Sequence, residues 1–241
     1  MDLIVPFWRA FLPGVAVAGV LTAWASLWPR SRVFGPVRWC DEAGSSPTTF
    51  ALLFEGMTEG AVDNEALLEA LATRHVIAAF AIDATFAASA SPQLLRQFDA
   101  AGHLLVNAGP RFAPGNLLAN RVAWRDAIDA TDDLIHEKIG RRPRIFAPPY
   151  AAKSPIMLRE AVWGGHVPVV RARGDHRFLP VSWNQARLLR APAGGIVCLR
   201  ANDSRSLRIL PELIDGWRSR GRVAIRMDTL LDVQPYRSPR D

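Results

Sequence analysis

Lysine is almost missing from this 241-residue chain: Lys138 and Lys153 are the only two. The formal net charge of +6 therefore rests nearly wholly on arginine. Those arginines are scattered, with no block of five or six, so a nucleic-acid-binding tail is not expected. A basic face toward anionic lipid or an acidic polymer stays open. Cysteine is scarce as well. Cys40 and Cys198 lie far apart and match no metal or redox spacing; two separate thiols are expected, with one disulfide left open. The five histidines, His75, His103, His136, His166 and His176, never stand two or four residues apart. No single element therefore offers a two-histidine metal site. There is no internal repeat.

Long hydrophobic runs are scarce too, with one exception. Ala10 to Trp28 is free of formal charge and lies between Arg9 and Arg30. That length suits a helix crossing a bilayer, with Trp8, Trp24 and Trp28 at the interfaces. The competing reading is a secretory signal cleaved after Ala23-Trp24-Ala25, and a buried helix is the third. An uncleaved anchor over residues 1–28 is the preferred expectation. Arg30, Arg32 and Arg38 follow the run and only Arg9 precedes it, a weak lean toward a cytoplasmic domain. Residues 29–47 are rich in Pro, Gly and Ser and read as a linker. The globular domain is expected over 48–232, with 233–241 as a C-terminal tail.

With 49% hydrophobic residues, the remainder is enough for one large α/β domain. Phe50 to Phe54 is an apolar run of strand length that ends in Glu55-Gly56. A buried parallel strand reads this way, and its C-terminal end is where α/β folds place their chemistry. A helix is predicted from Asp63 to Arg74, capped by Asp63 or Asn64. Strands are predicted at 76–82, 104–106, 144–146, 167–170, 195–199 and 223–226. Further helices are predicted at 92–101, 117–139 (ending at Gly140) and 211–220. Strands alternating with helices argue for a parallel sheet or barrel.

Four stretches in this order resemble the polysaccharide deacetylases, also known as carbohydrate esterase family 4 or the NodB-homology domain. They are Ala51-Leu-Leu-Phe-Glu-Gly-Met-Thr58, Ala101-Gly-His-Leu-Leu-Val-Asn-Ala108, Arg142-Pro-Arg-Ile-Phe-Ala-Pro-Pro-Tyr150 and Gly195-Ile-Val-Cys-Leu-Arg-Ala201. The resemblance covers roughly Thr48 to Leu231. It implies an α/β fold, an incomplete (β/α) barrel with its site at the C-terminal ends of the strands.

In that family a divalent metal, held by one Asp and two His, activates water. A second Asp is the base and a late His the acid. This sequence departs from the pattern at each position. Glu55 stands at the base. Gly56, Ala108 and Phe112 stand at the three ligands, so neither metal nor another cofactor is expected. Ala147 replaces the arginine that fixes the base, and Arg200-Ala201 replaces the late His-Asp pair. The resemblance makes Asn107, Arg111, Tyr150 and Arg200 candidate binding residues. Arg111 or Arg200 is expected to pair with Glu55, and both could hold a carboxylate or phosphate. The backbone at Tyr150 would contribute to an oxyanion hole. His103 is expected to be a core residue. Asp175-His176 is the best remaining acid/base pair.

Two functions from different classes follow. The first is a membrane-anchored, non-catalytic protein that binds a glycan or glycolipid or holds protein partners of an envelope-polymer pathway. The second is an active deacetylase of acetylated saccharides, working without metal through Glu55, Asp175 and His176. A basic membrane-surface module is a third.

Overall fold

A computed structural model describes residues 48–58, 64–176 and 178–238, together with 19–22, 24 and 33–40. Most of the charge-free run over 10–28, and the capping Asp63, lie outside the described residues. Its described part, 19–22 and 24, is helical. Among the described residues no helix is long and apolar enough to cross a membrane.

Strands β1 (Thr49–Glu55), β2 (Ala79–Ile82), β3 (Leu104–Asn107), β4 (Ile145–Phe146), β5 (Val167–Pro168), β6 (Arg173–Gly174), β7 (Ile196–Arg200) and β8 (Val223–Ala224) form one sheet. Between them run α1 (Asn64–Thr73), α2 (Ala84–Ser89), α3 (Pro92–Ala100), α4 (Arg121–Ile139), α5 (Pro155–Trp163), α6 (Val181–Leu189) and α7 (Ser204–Arg218). The helix α8 (Met227–Leu231) comes last. The strand order is β5-β4-β3-β2-β1-β7-β6, with β8 beside the first residues of β1, and every pairing is parallel. This is the curled, incomplete (β/α) barrel expected from the sequence.

Side chains alternate along each strand, which divides the core in two. Phe50, Leu52, Phe54, Phe80, Ile82, Leu105, Val197 and Leu199 face the helices. Ala51, Leu53, Ala79, Ala81, Leu104, Val106, Ile196 and Cys198 face the barrel interior. The outer layer is aromatic: Phe50 meets Trp217 at 4.7 Å and Phe80 meets Phe98 at 4.4 Å between ring centroids. Alanines on the inner face keep the barrel narrow.

Local chemistry sets the helix ends. Ser91 caps α3 through Leu94 N, Asn120 caps α4 through Ala123 N, and Ser154 caps α5 through Met157 N. Gly140 ends α4 in the left-handed conformation, φ 73°. The helix expected from residue 117 therefore begins at Arg121, after a 3-10 turn over Pro114–Leu118. The helix expected from Pro211 begins instead at Ser204, with Pro211 inside it. A proline inside a helix costs about 3 kcal/mol. Burial of Leu210, Leu213, Ile214 and Trp217, at about 1.5–3 kcal/mol for each side chain, exceeds that cost. Four helices, α2, α5, α6 and α8, and the two-residue strand β6 were not anticipated.

Both domain boundaries lie further out than expected. Val37 is buried, and Arg38 and Trp39 bond across the seam between β5 and β7. Arg38 N donates to Pro168 O and Ile196 N donates to Trp39 O. Arg38 Nη1 also donates to Leu231 O at 2.6 Å. At the other end, Arg144 N donates to Pro235 O and Arg237 N to Arg142 O. Residues 37–40 and 235–237 are thus built into the fold rather than being linker and tail. Neither stretch has hydrophobic periodicity, because each is held by backbone bonds. No disulfide joins Cys40 and Cys198.

A buried polar network fastens the C-terminal end. The Asp132 carboxylate on α4 is wholly inaccessible; it accepts from Asn107 Nδ2 at 2.7 Å and pairs with Arg237. His166 sits against both, Nε2 lying 3.1 Å from Asp132 Oδ2 and 3.1 Å from Arg237 Nη2. Burial pushes the His166 pKa down to about 4. The neutral ring therefore donates from Nδ1 to Ala161 O, and its Nε2 accepts from Arg237. His103 is the core histidine expected from sequence: Nδ1 accepts from Ala78 N at 3.2 Å, and burial holds its pKa at about 4.

These buried polar groups give two expected outcomes. Arg237→Ala leaves the Asp132 charge buried without its ion-pair partner, and should cost about 3–5 kcal/mol in a urea titration. A change under 1 kcal/mol would show that the pair is not structural. His103 and His166 are neutral when folded at pH values where an unfolded imidazole, with pKa near 6.5, is protonated. The unfolded state then binds more protons, so stability is complete above about pH 6.5 and falls as pH drops toward 4. Each ring contributes at most about 1.4 kcal/mol per pH unit. His166→Gln should flatten the fall in melting temperature across that window.

Candidate functional site at the barrel mouth

The alternation that sends Ala51 and Leu53 inward also sends Glu55 inward at the end of β1. The same parity brings Ala81 and Asp83 after β2, Ala108 after β3 and Ala147 after β4 to one opening. With Gly56, Arg111, Phe112, Tyr150 and Asn202 they line a cavity of about 70 Å³. Phe112 fills one wall and meets Tyr150 edge-on, ring centroids 5.6 Å apart. An open basin lined by Phe112, Tyr150, Arg200, Asn202, Asp203 and Arg205 adjoins it.

Glu55 is buried, and its partner is neither Arg111 nor Arg200. Arg171 Nη1 donates to Glu55 Oε1 at 2.7 Å. Burial pushes the Glu55 pKa above its ordinary value; Arg171 works against this and Asp175 adds to it. The Cys198 thiol, one strand away and inward-facing, is pushed up by burial as well. Arg171 was missed from sequence. Its signal is the alternation Arg171-Ala-Arg173-Gly-Asp175, which puts three charged residues on one face of an extended segment.

The expected pair of Asp175 and His176 does not form. The Asp175 carboxylate accepts from Arg200 Nε and Arg200 N, each at 3.2 Å, and from Ser206 Oγ. His176 is exposed, and Asn184 brackets its backbone by bonding both its N–H and its carbonyl. Partial burial, then Arg187 and Arg171, hold its pKa below the ordinary value. Register explains the misreading: adjacent residues on an extended segment point to opposite sides.

Asn107 is also placed elsewhere. It is wholly buried, donates to Ile128 O and Asp132 Oδ1, and accepts from Gly109 N at 2.6 Å. It braces β3 against α4 and does not reach the cavity lining. Arg111 is exposed at the rim and forms no ion pair among the described residues. Arg200 reaches the open basin, and its Nη2 is buried with no hydrogen-bond partner among the described residues. Tyr150 follows the Pro148-Pro149 turn with φ 53°, and Ala151 follows with φ 59°. Two successive non-glycine residues in this region cost about 1–2 kcal/mol each, so the surrounding structure holds this turn in place.

The donor set does not fit the family's metal. Gly56, Ala108 and Phe112 offer no ligand atom, Arg171 holds Glu55, and Asp83 Oδ1 accepts from Phe86 N at 2.8 Å as the cap of α2. Among the described residues no three His, Cys, Asp or Glu side chains converge. Gly56 has φ +73°, and a Cβ there would lie 3.1 Å from the Asn202 amide. A side chain at this position is therefore strained and crowded.

The sequence profile of the polysaccharide deacetylases matches residues 44–166, just over half of the chain. No curated protein matches it in sequence. Among solved structures, a peptidoglycan N-acetylglucosamine deacetylase, Bc1960, is similar at 18% identity and a TM-score of 0.70. The match covers 78% of this chain and 90% of that one. A family 4 carbohydrate esterase from Streptomyces lividans, in complex with acetate, is similar at 19% identity and 0.67, covering 75% and 93%. A CE4-family pseudoenzyme from Bacillus anthracis is similar at 17% identity and 0.68, covering 77% and 66%. At these identities the likeness is one of fold. With the profile match, the parallel curled sheet and the cavity at its C-terminal strand ends, the chain belongs to the polysaccharide deacetylase family.

Proposed function

We propose that this chain is a membrane-anchored, non-hydrolytic member of its family that binds a glycan or glycolipid. The observation that carries the reading is the lining of the mouth, where Gly56, Ala108 and Phe112 offer no ligand atom beside Glu55. Arg171 Nη1 holds one oxygen of the Glu55 carboxylate, Oε1, and Ala147 offers it no bond. The binding side of the reading rests on the aromatic pair Phe112–Tyr150 and on the guanidinium groups of Arg111 and Arg200. These suit a saccharide that carries a carboxylate or phosphate. The charge-free run over 10–28 supports the anchor, and the arginines that follow it lean toward a cytoplasmic domain. Protein partners in an envelope-polymer pathway are compatible with this reading.

The chemical test is restoration. The Bacillus anthracis pseudoenzyme has a mutant described as having restored enzymatic activity. Here Gly56→Asp, Ala108→His and Phe112→His together should create zinc or cobalt affinity before turnover, because Ala147 and Arg200 leave base and acid unsupported. Aspartate is among the residues that best tolerate the left-handed backbone at position 56. The unmodified protein should show no thermal shift with either metal and no acetate release from acetylated oligosaccharides. Release that survives chelator and is abolished by Glu55→Gln would establish the alternative, a metal-independent deacetylase.

The anchor has its own test. Removing residues 1–32 should move the protein from the membrane to the soluble fraction with its melting temperature unchanged, since Phe34 packs against the core and Val37 is buried. A natural mature protein that starts at Ser26 would instead identify a cleaved signal.

A further inference from the structure

Trp163, at the C-terminal end of α5, is 65% exposed, and Val162 beside it is 44% exposed. Three arginines stand around this exposed apolar pair. The Arg125 guanidinium lies 3.9 Å from the Trp163 ring centroid and that of Arg121 lies 5.7 Å away. Both arginines hold the inaccessible Glu160 carboxylate, at 2.7 and 2.8 Å, and Arg159 is exposed next to it. Glu160 fixes the two guanidinium groups over the indole, and the cluster keeps two net positive charges. Trp163, Val162, Arg121 and Arg159 form one wall of an open groove whose other wall is Phe34, Gly35 and Pro36.

That second wall is where the N-terminal chain leaves the domain. Val37 is buried and Arg38 is bonded into the seam, so the chain is pinned from there on. Val33, four residues earlier, is 69% exposed. Val33 lies only five positions after Trp28, the end of the charge-free run. Fully extended, five residues span at most about 18 Å. If the run crosses a bilayer, Val33 lies within that distance of the membrane boundary, and the arginine-tryptophan wall lies beside it. Arg30 and Arg32 fall in the same short connection. An apolar indole ringed by guanidinium groups is the composition that settles at a headgroup layer.

We infer that the face formed by Val162, Trp163, Arg121, Arg125 and Arg159 rests on the bilayer surface and contacts anionic lipid headgroups. This fixes the orientation of the domain over the membrane. The inference rests on the anchor reading, and its ligand is the anionic headgroup, not the saccharide of the barrel mouth. Each arginine near such a surface is attracted by the negative leaflet within about one Debye length. Arg121 and Arg125 are already held by Glu160, so their geometry is set before contact.

The test uses the full chain reconstituted into vesicles of phosphatidylcholine and phosphatidylglycerol whose acyl chains carry bromine, which quenches nearby indoles. Trp183 on α6 is the control: it is 69% exposed and does not line the groove. Trp163→Phe should remove about a quarter of the bromine-dependent quenching, as one of four membrane-proximal indoles with Trp8, Trp24 and Trp28. Trp183→Phe should remove none. Replacing phosphatidylglycerol by phosphatidylcholine should reduce the Trp163 component at least twofold at low salt. If the two variants behave alike while the chain stays with the vesicles, the anchor stands and this face does not meet lipid. If the full chain washes off the vesicles, the anchor reading falls and the inference with it.

Discussion

Side-chain alternation in a curled parallel sheet is the constraint on which this molecule depends. Every second residue of β1, β2, β3, β4 and β7 must enter a barrel interior too narrow for anything but small or medium side chains. Ala51, Ala79, Ala81 and Ala108 meet that limit, while phenylalanines crowd the opposite face against the helices. The inward positions of neighbouring strands therefore end around one opening. Glu55, Asp83, Ala108 and Ala147 share a cavity because of their parity, whatever their chemistry. A family built on this frame keeps its mouth when its reactive groups change.

What changes is how charge is balanced there. A buried carboxylate is costly unless something opposite faces it. Arg171, from the strand edge across the mouth, supplies that charge to Glu55, and Arg200 supplies it to Asp175. Both pairs are largely removed from water, and Ser206 adds a further bond to Asp175. The arrangement satisfies the carboxylates as a structural core does. Buried carboxylates with shifted pKa values occur in active sites and in structural ion-pair networks alike. Arg111, left over at the rim, is exposed, and an anion can reach it.

Most of the fold was legible in the sequence because its long elements carry strong signals. The apolar run of β1, the amphipathic span of α4 and the glycine that ends it each read directly, as did the order of the four motif stretches. The seam at residues 37–40 and the closing segment at 235–237 did not, since backbone hydrogen bonds leave no side-chain pattern. The length of α7 was hidden by Pro211, where a proline signal outweighed the apolar face only in isolation. In the site, Glu55 and the positions around it were legible from the motifs. The pairing of charges was not, because Arg171 lies 116 residues from Glu55 and only the closure of the sheet brings them together. Asn107 illustrates the opposite error: a polar residue at a strand end looks functional until its three bonds into the core are seen.

The stave at Arg38 and Trp39 has a consequence for the order in which the molecule assembles. Its partners are Pro168, Ile196 and Leu231, the last separated from Arg38 by 193 positions. A contact of such sequence separation forms only after most of the chain is present, and topologies rich in such contacts fold slowly. On the ribosome, the segment that closes the barrel is made before β5, β7 and α8 and must wait for them. During that interval the alanine-lined interior has an open side and unpaired strand edges, the condition in which partly folded chains associate. The vulnerable interval is therefore the one before α8 is made, while Arg38 and Trp39 wait for their partners.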